Sequence, residues 1–278
     1  MRPVELRFGD LRIEGCSRAG DDNWFRIHPP GLALDVGRGA LQLAGAQDVF
    51  LSHGHLDHAL GLPYVLSQRS LHRLVHTRVF CPAAIVEPLG AFIVAAERLE
   101  RAKYRYDLIP LSPGERVEVG KGLSMEAFAT DHVVPSLGYH LWRSRRRLAP
   151  AFAGLPAAEL ISLRERGIDT SETVEDLWLS YCGDTGPGIF ESEPRLFRAK
   201  VLMVECTFLG EEHRDKGALF KHLHLGDIAA RADELRNEAI VLHHLSRRFR
   251  VEQLREEVER RLPELASRIH LLVEGAEG

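Results

Sequence analysis

The segment Ser52-His53-Gly54-His55-Leu56-Asp57-His58 sets three imidazoles and a carboxylate almost side by side in the chain. Neutral imidazole nitrogens and carboxylate oxygens are ligands for Zn²⁺ and similar borderline cations. On a helix, positions 53, 55, 57 and 58 would splay around the axis. In a loop leaving the end of a buried strand they can converge. Four protein ligands on one ion would close a tetrahedral site, whereas a catalytic ion keeps a position open for water. Sharing them between two ions leaves both short of ligands and calls for further His or Asp donors downstream.

Such donors should stand where short apolar strands end, and three places qualify: Phe128-Ala129-Thr130-Asp131-His132, Leu179-Ser180-Tyr181-Cys182-Gly183-Asp184-Thr185, and Ile240-Val241-Leu242-His243-His244. Gly183 would allow close backbone approach in the second. Taken singly, each is an ordinary loop histidine or turn aspartate. With the first cluster they supply the groups two ions still lack. His28, His72, His76, His140, His213 and His270 have no partners at ligand spacing.

The elements that must position these groups are legible in outline. Val4, Leu6 and Phe8 alternate, Gly9-Asp10 turns, and Leu11 and Ile13 alternate again, as in a hairpin. Leu32-Ala33-Leu34 runs into Asp35, and Val49-Phe50-Leu51 into Ser52-His53, like buried strands whose ends carry chemistry. Helices are expected at about 59–70 and 83–103, and strands at 117–119, 123–129, 137–142 and 178–182. A strand at 200–204, a helix at 227–237, a strand at 239–242, a helix at 251–266 and a strand at 268–273 follow. Leu254, Val258, Leu262 and Leu265 give the 251–266 helix one apolar face. Two strand blocks, each trailed by helices, fit an α/β sandwich of two packed sheets with helices outside, in one domain over 1–278. The 143–177 stretch opens on Arg143-Ser144-Arg145-Arg146-Arg147, holds a short helix at 157–166, and is too short for its own core, so it is an excursion.

Composition narrows the class. The chain has 278 residues, 45% hydrophobic and 27% charged, with 14 histidines and a net charge of −4. That balance disfavours binding nucleic acid through the overall field and leaves a local basic patch. The opening Met1-Arg2-Pro3-Val4-Glu5-Leu6 has no secretory apolar run, and no stretch reaches the roughly 18 apolar residues of a membrane span. Cys16, Cys81, Cys182 and Cys206 are far apart, as small buried residues in a reducing cytoplasm would be.

His53-Gly54-His55-Leu56-Asp57-His58 resembles the His-x-His-x-Asp-His signature of the metallo-β-lactamase superfamily. The segments Asp131-His132-Val133-Val134-Pro135-Ser136-Leu137-Gly138-Tyr139, Cys182-Gly183-Asp184-Thr185, Glu205-Cys206-Thr207-Phe208 and His244-Leu245-Ser246-Arg247-Arg248-Phe249 are similar in order and spacing to the ribonuclease Z family, short form. These are endonucleases that remove 3′ trailers from precursor tRNA. The similarity runs from about Asp35 to the C-terminus.

The resemblance implies an αββα sandwich of two mixed sheets and two Zn²⁺ ions, with Mn²⁺ or Fe as alternatives. His53, His55 and His132 would hold one ion, Asp57, His58 and His244 the other, and Asp184 would bridge them. Asp35 would steady the ligand histidines. Glu205 and His222 would assist proton transfer to the departing oxygen, Asp57 joining them in the catalytic set. Lys221-His222-Leu223-His224 replaces the family's Gly-His-Ser/Thr segment, so His224 competes with His222. Likewise His243 stands beside His244, which is preferred for lying two residues before Ser246.

Arg143, Arg145, Arg146 and Arg147 occupy the position of the family's substrate-gripping arm; Ser246 and Arg248 are further substrate-binding candidates. A solvated charged loop explains the arm arginines equally well.

Two cations about 3.5–4 Å apart lower the pKa of a shared water enough to provide hydroxide at neutral pH. The expected reaction is hydrolysis at the 3′ end of precursor tRNA, leaving a tRNA 3′-hydroxyl and a 5′-phosphorylated trailer. A cytoplasmic homodimer that binds neither DNA nor membrane is expected. Rivals are a hydrolase of small esters, such as a cyclic nucleotide or an aryl sulfate, and a metal-binding regulator without turnover.

Overall fold

Alternate residues of the central strands belong to different cores. In β4 (Leu32–Val36), Leu32 and Leu34 face one cluster and Ala33 and Val36 another. In β12 (Val201–Glu205), Val201 and Met203 share the first cluster while Leu202 and Val204 join a third. A strand buried on both faces needs apolar side chains at every position, which is why these segments read as unbroken apolar runs. The shared cluster lies between two sheets, and the other two lie beneath helices, giving four αββα layers. Phe50 stacks on Phe80 at 4.5 Å and meets Tyr139 of the opposite sheet edge-on at 5.2 Å. Each such ring contributes about 1.5–3 kcal/mol by burial.

The computed structural model describes residues 2–273. Seven strands form the first sheet in chain order: β1 (Val4–Phe8), β2 (Leu11–Arg18), β3 (Asp22–His28), β4, β5 (Asp48–Phe50), β6 (Thr77–Pro82) and β7 (Tyr106–Leu111). Seven form the second, laid out from the opposite edge: β8 (Arg116–Gly120), β9 (Leu123–Ala129), β10 (Leu137–Leu148), β11 (Ser171–Tyr181), β12, β13 (Ala239–His243) and β14 (Ile269–Leu271). In both sheets an antiparallel meander, β1–β4 or β8–β11, is continued by parallel strands. The same layout is built twice although the sequence carries no visible repeat.

The helices are α1 (Leu56–Ala59), α2 (Leu62–Leu71), α3 (Val86–Glu100), α4 (Ala157–Glu165), α5 (Ile189–Ser192), α6 (Arg214–Phe220), α7 (Leu225–Ala229) and α8 (Val251–Arg261). The sequence reading did not anticipate α5 and α6, and two expected helices are shortened or divided. α8 stops at Arg261, since Pro263 bars the helical region to Leu262, which sits at φ −133. Leu262 and Leu265 stay buried in its core nonetheless. The 227–237 segment divides into α7 and a 3₁₀ turn at Ala232–Glu234. β3, β6 and β7 were not anticipated individually; β7 carries Pro110, which an edge strand tolerates.

The 143–177 stretch begins and ends in strand. β10 and β11 stay paired from Arg143↔Asp176 to Leu148↔Ser171, projecting a hairpin arm tipped by a 3₁₀ turn at Pro150–Phe152 and by α4.

Candidate metal centre

Every expected ligand leaves the end of a strand on one rim of the sandwich. His53 and His55 follow β5 in extended chain, and His55 is the N-cap residue of α1, which carries Asp57 and His58. The cluster is therefore part loop and part single helical turn. His132 follows β9, Asp184 follows β11, and His244 follows β13. Gly183 adopts φ +60, and a Cβ there would lie 2.8 Å from Ser52 Cβ, so glycine lets β11's exit pass the first cluster.

Asp184 is the centre. Its Oδ2 lies 3.3 Å from His58 Nε2, 3.3 Å from His244 Nε2 and 3.7 Å from His53 Nε2. One set of donor atoms, from His53, His55, His132 and Asp184, falls within 4.8 Å of one another; Asp57, His58 and His244 form a second. Asp57 Oδ2 is 3.5 Å from both His58 Nε2 and His244 Nε2.

The surrounding hydrogen bonds decide which imidazole atoms face inward. His58 Nδ1 donates to Asp35 Oδ2 at 2.8 Å, and His244 Nδ1 donates to the Thr207 hydroxyl at 2.9 Å. His53 Nδ1 bonds Ser52 Oγ at 2.9 Å, and His132 Nδ1 donates to the Lys221 carbonyl at 3.2 Å. In this network the Nε2 lone pairs of all four point into the site. His58 Nε2 and His244 Nε2 face each other at 3.3 Å, and His53 Nε2 and Asp184 Oδ1 are buried without a partner. Bare acceptors brought this close are costly unless a cation lies among them. The residues present therefore fit divalent metal ions.

Asp35 holds His58 and Ser52, beside the candidate ligand His53, from behind. It sits at φ 53, and its carboxylate accepts from Ser52 N, Ser52 Oγ, His58 Nδ1 and the Tyr181 hydroxyl, all at 2.6–2.8 Å. Sequence reasoning missed a second support. Ser17 Oγ accepts from His244 N at 2.7 Å and donates to Asn23 Oδ1, while Asn23 Nδ2 and Gly20 N donate to Asp57 Oδ2 at 3.0 and 2.8 Å. His244 is at φ 60, a left-handed conformation this bond helps to hold. Ser17 and Asn23, the uncharged polar side chains that the β2–β3 hairpin buries, were the available signal.

Electrostatics divide the two groups. Burial lowers the pKa of His53, His55 and His132, keeping them neutral, as ligands must be. Burial would lower His58 as well, but Asp184 and Asp35 raise it well above its usual value; the field that draws a proton there draws a cation equally. Burial opposes ionisation of Asp57, yet His244 and His58 hold its carboxyl far below the usual range.

Glu205 and His222 meet beside this centre. Glu205 is fully buried; Oε1 accepts from Thr185 N at 2.9 Å and His222 Nδ1 at 2.8 Å, and Oε2 accepts the Thr207 hydroxyl. Burial disfavours charge on His222, but Glu205 overrides it and raises the pKa to about 9. The ring stacks on His244 at 5.3 Å and lies 5.1 Å from His132. His224 instead caps α7, its Nδ1 accepting from Gly226 N at 2.9 Å. His243 points into the inter-sheet core against Phe25 and Tyr181, while His244 faces Asp184.

The arm arginines are all partnered. Arg145 pairs with Asp176 at 2.6 Å, Arg147 with Glu172 at 2.7 Å and Arg146 with Asp169. Arg143 lies over the Trp178 ring at 4.2 Å and within 4.0 Å of Asp176. Ser246 and Arg248 directly follow the His244 exit, with Arg248 Nη1 3.4 Å from Ser246 Oγ. All four cysteines are buried and free.

Residues 35–245 match the β-lactamase superfamily domain. Two Arabidopsis thaliana proteins, tRNase Z TRZ1 and the chloroplastic tRNase Z TRZ2, are each 30% identical to the chain. The first alignment covers 95% of this chain and 95% of TRZ1; the second covers 98% of this chain and 77% of TRZ2. The crystal structure of the metallo-β-lactamase fold protein YhfI from Bacillus subtilis superposes with a TM-score of 0.64 at 16% identity, covering 94% of this chain and 95% of that one. The chain belongs to the β-lactamase superfamily and, within it, to the tRNase Z (ribonuclease Z) family.

Proposed function

We propose that the protein is a metal-dependent endoribonuclease that hydrolyses a phosphodiester at the 3′ end of precursor tRNA. The observation that carries this reading is the Glu205–His222 pair, seated between His132 and His244 at the edge of the ligand set. His53, His55 and His132 would hold one zinc ion and Asp57, His58 and His244 the other, with Asp184 between them. Bound there, the ions supply positive charge against the phosphoryl oxygens and acidify water.

The chain's own groups do the rest. Asp35, Ser52, Thr207 and the Lys221 carbonyl fix the imidazoles by their outer nitrogens, so the donor set needs little reorganisation. Glu205 orients His222 through Nδ1 and leaves Nε2 to hand a proton to the departing ribose oxygen. Asp57 stays ionised within the catalytic set. Ser246, Arg248 and the arm arginines Arg143, Arg145, Arg146 and Arg147 are the proposed contacts to substrate. The proposed products are a tRNA 3′-hydroxyl and a 5′-phosphorylated trailer.

A cytoplasmic homodimer completes the proposal. Four buried free thiols suit a reducing compartment, and among the described residues no helix is long and apolar enough to cross a membrane.

The test is incubation of purified protein with a tRNA bearing a 3′ trailer, with and without chelator. Chelator-sensitive cleavage near the discriminator base is expected. No cleavage, alongside rapid turnover of a small phosphodiester, would transfer the assignment to a small-ester hydrolase.

A further inference from the structure

The arm between residues 143 and 177 carries six arginines (143, 145, 146, 147, 164, 166) and six carboxylates (159, 165, 169, 172, 175, 176), so its charge cancels. The segment leaving the metal centre is different. Ser246-Arg247-Arg248-Phe249-Arg250 holds three arginines and no acid, and all three are exposed. Among the described residues, none of these three guanidiniums has an ion-pair partner, and Arg248 has only its long contact to Ser246.

This segment lines one wall of an open cleft of about 550 Å³ with Arg247 and Arg250, and Arg18 of β2 lines the other. The walls are tied together: Arg18 Nη1 donates to the Phe249 carbonyl at 3.2 Å, and Ala19 N donates to the Leu245 carbonyl at 3.2 Å. Two acids share the cleft, Asp21 and Glu252, but Asp21 is already engaged by Arg38 at 3.0 Å. Both walls of the cleft continue into segments that meet candidate ligands. Gly20, in the turn after Arg18, donates to Asp57 Oδ2, and Leu245 is the residue after His244.

We infer that this cleft, through Arg247 and Arg250 with Arg18, binds the backbone phosphates of the RNA strand on its way into the metal centre. The inference rests on RNA being the substrate. A chain with net charge −4 repels a polyanion except where cations are left uncompensated, and among the described residues Arg247 and Arg250 are exposed cations without an ion-pair partner close to the candidate ligand His244. Phosphate contacts position the strand without reading its sequence, so the cleft contributes affinity independent of sequence.

The experiment measures KM for a 3′-extended tRNA across a range of KCl with the metal-loaded enzyme. It compares the unsubstituted protein, the Arg247→Gln/Arg250→Gln pair, the Arg247→Lys/Arg250→Lys pair, and Arg98→Gln on the exposed face of α3 as a control for positive charge lost away from the cleft. The glutamine pair should raise KM about tenfold near 0.1 M salt and reduce the slope of log KM against log salt by about one to two, as expected for one or two lost phosphate contacts. The lysine pair should restore most of both, and Arg98→Gln should change neither. An unchanged slope in the glutamine pair overturns the cleft while leaving tRNA cleavage intact. So does an equal loss in Arg98→Gln, which would reduce the effect to net charge. If the unsubstituted enzyme turns over bis(p-nitrophenyl) phosphate in a chelator-sensitive way yet never cuts the tRNA, the RNA reading fails first and the inference with it.

Discussion

The Tyr181 hydroxyl donates to Asp35 Oδ2 at 2.6 Å, joining the end of β11 in one sheet to the end of β4 in the other. The same oxygen accepts from His58 Nδ1, so a bond between the sheets and the orientation of a candidate ligand share one atom. Tyr181→Phe should destabilise the fold by about 1–2 kcal/mol, the cost of losing a buried hydrogen bond, visible in urea melts. Asp35→Ala should weaken metal binding by about 10–100-fold in competition with a chromophoric chelator. Unaltered affinity in Asp35→Ala would remove its role in steadying His58.

His222 can be a proton donor or a ligand, because its ring also lies in a compact group with Asp184, Glu205 and His244. His222→Ala should lower single-turnover cleavage by about 10²–10⁴-fold, the range of general acid–base catalysis, with metal content per chain unchanged by elemental analysis. Loss of metal along with activity would make it a ligand instead.

Metal removal should cost stability as well as turnover. The inward lone pairs of His53, His58 and His244 and the Asp184 carboxylate are left facing one another without a cation. Restoring Zn²⁺ at about 100 times its Kd should raise stability by about 2.7 kcal/mol, measured as a concentration-dependent rise in Tm. A Tm indifferent to chelator would contradict it.

Alkaline pH should destabilise the protein in a defined window. Burial pushes the Cys81 thiol up to about 12, and Cys182 and Cys206 higher still. A thiol whose folded pKa exceeds its unfolded value of about 8.5 keeps its proton in the folded state alone, so its contribution is whole below that value and is lost as pH climbs toward the folded one. Denaturant midpoints should fall from about pH 9 upward, and a thiol reagent at pH 8 should label these three cysteines only on unfolding.

Uncoupling the arm's ion pairs should expose whatever affinity the arginines hold in reserve. Glu172→Gln with Asp176→Asn leaves Arg147 and Arg145 without their carboxylates. RNA binding at low salt should tighten by about threefold or more, with little change in stability because exposed pairs contribute under about 1 kcal/mol. Unchanged binding in a filter assay would mean that the arm does not touch the strand.

The candidate ligand positions stand out in the sequence because each is a His or Asp at the end of an apolar run, a pattern that survives without any knowledge of the fold. Ser17, Asn23 and Thr207 were not, since a hydroxyl or amide supporting a ligand from another strand carries no local spacing. The arm's charge cancellation was hidden for a related reason: Arg147 and Glu172 are adjacent only once β10 and β11 pair. The choices between His222 and His224, and between His243 and His244, turn on which way a ring points. A backbone cap draws His224 to α7 and the aromatic core draws His243 inward. The twofold layout left no trace in sequence because alternating burial can be met by many apolar residues.

That layout places the candidate ligands in two instalments. The first meander and its parallel strands carry His53, His55, Asp57 and His58, and the second set carries His132, Asp184 and His244. During synthesis, the emerging first half holds only four of the candidate donors, without Asp184, and the set is complete only when β13 has been made and docked. A ribosome-bound fragment would therefore be unable to cut RNA, and nuclease activity would arrive together with the finished sandwich.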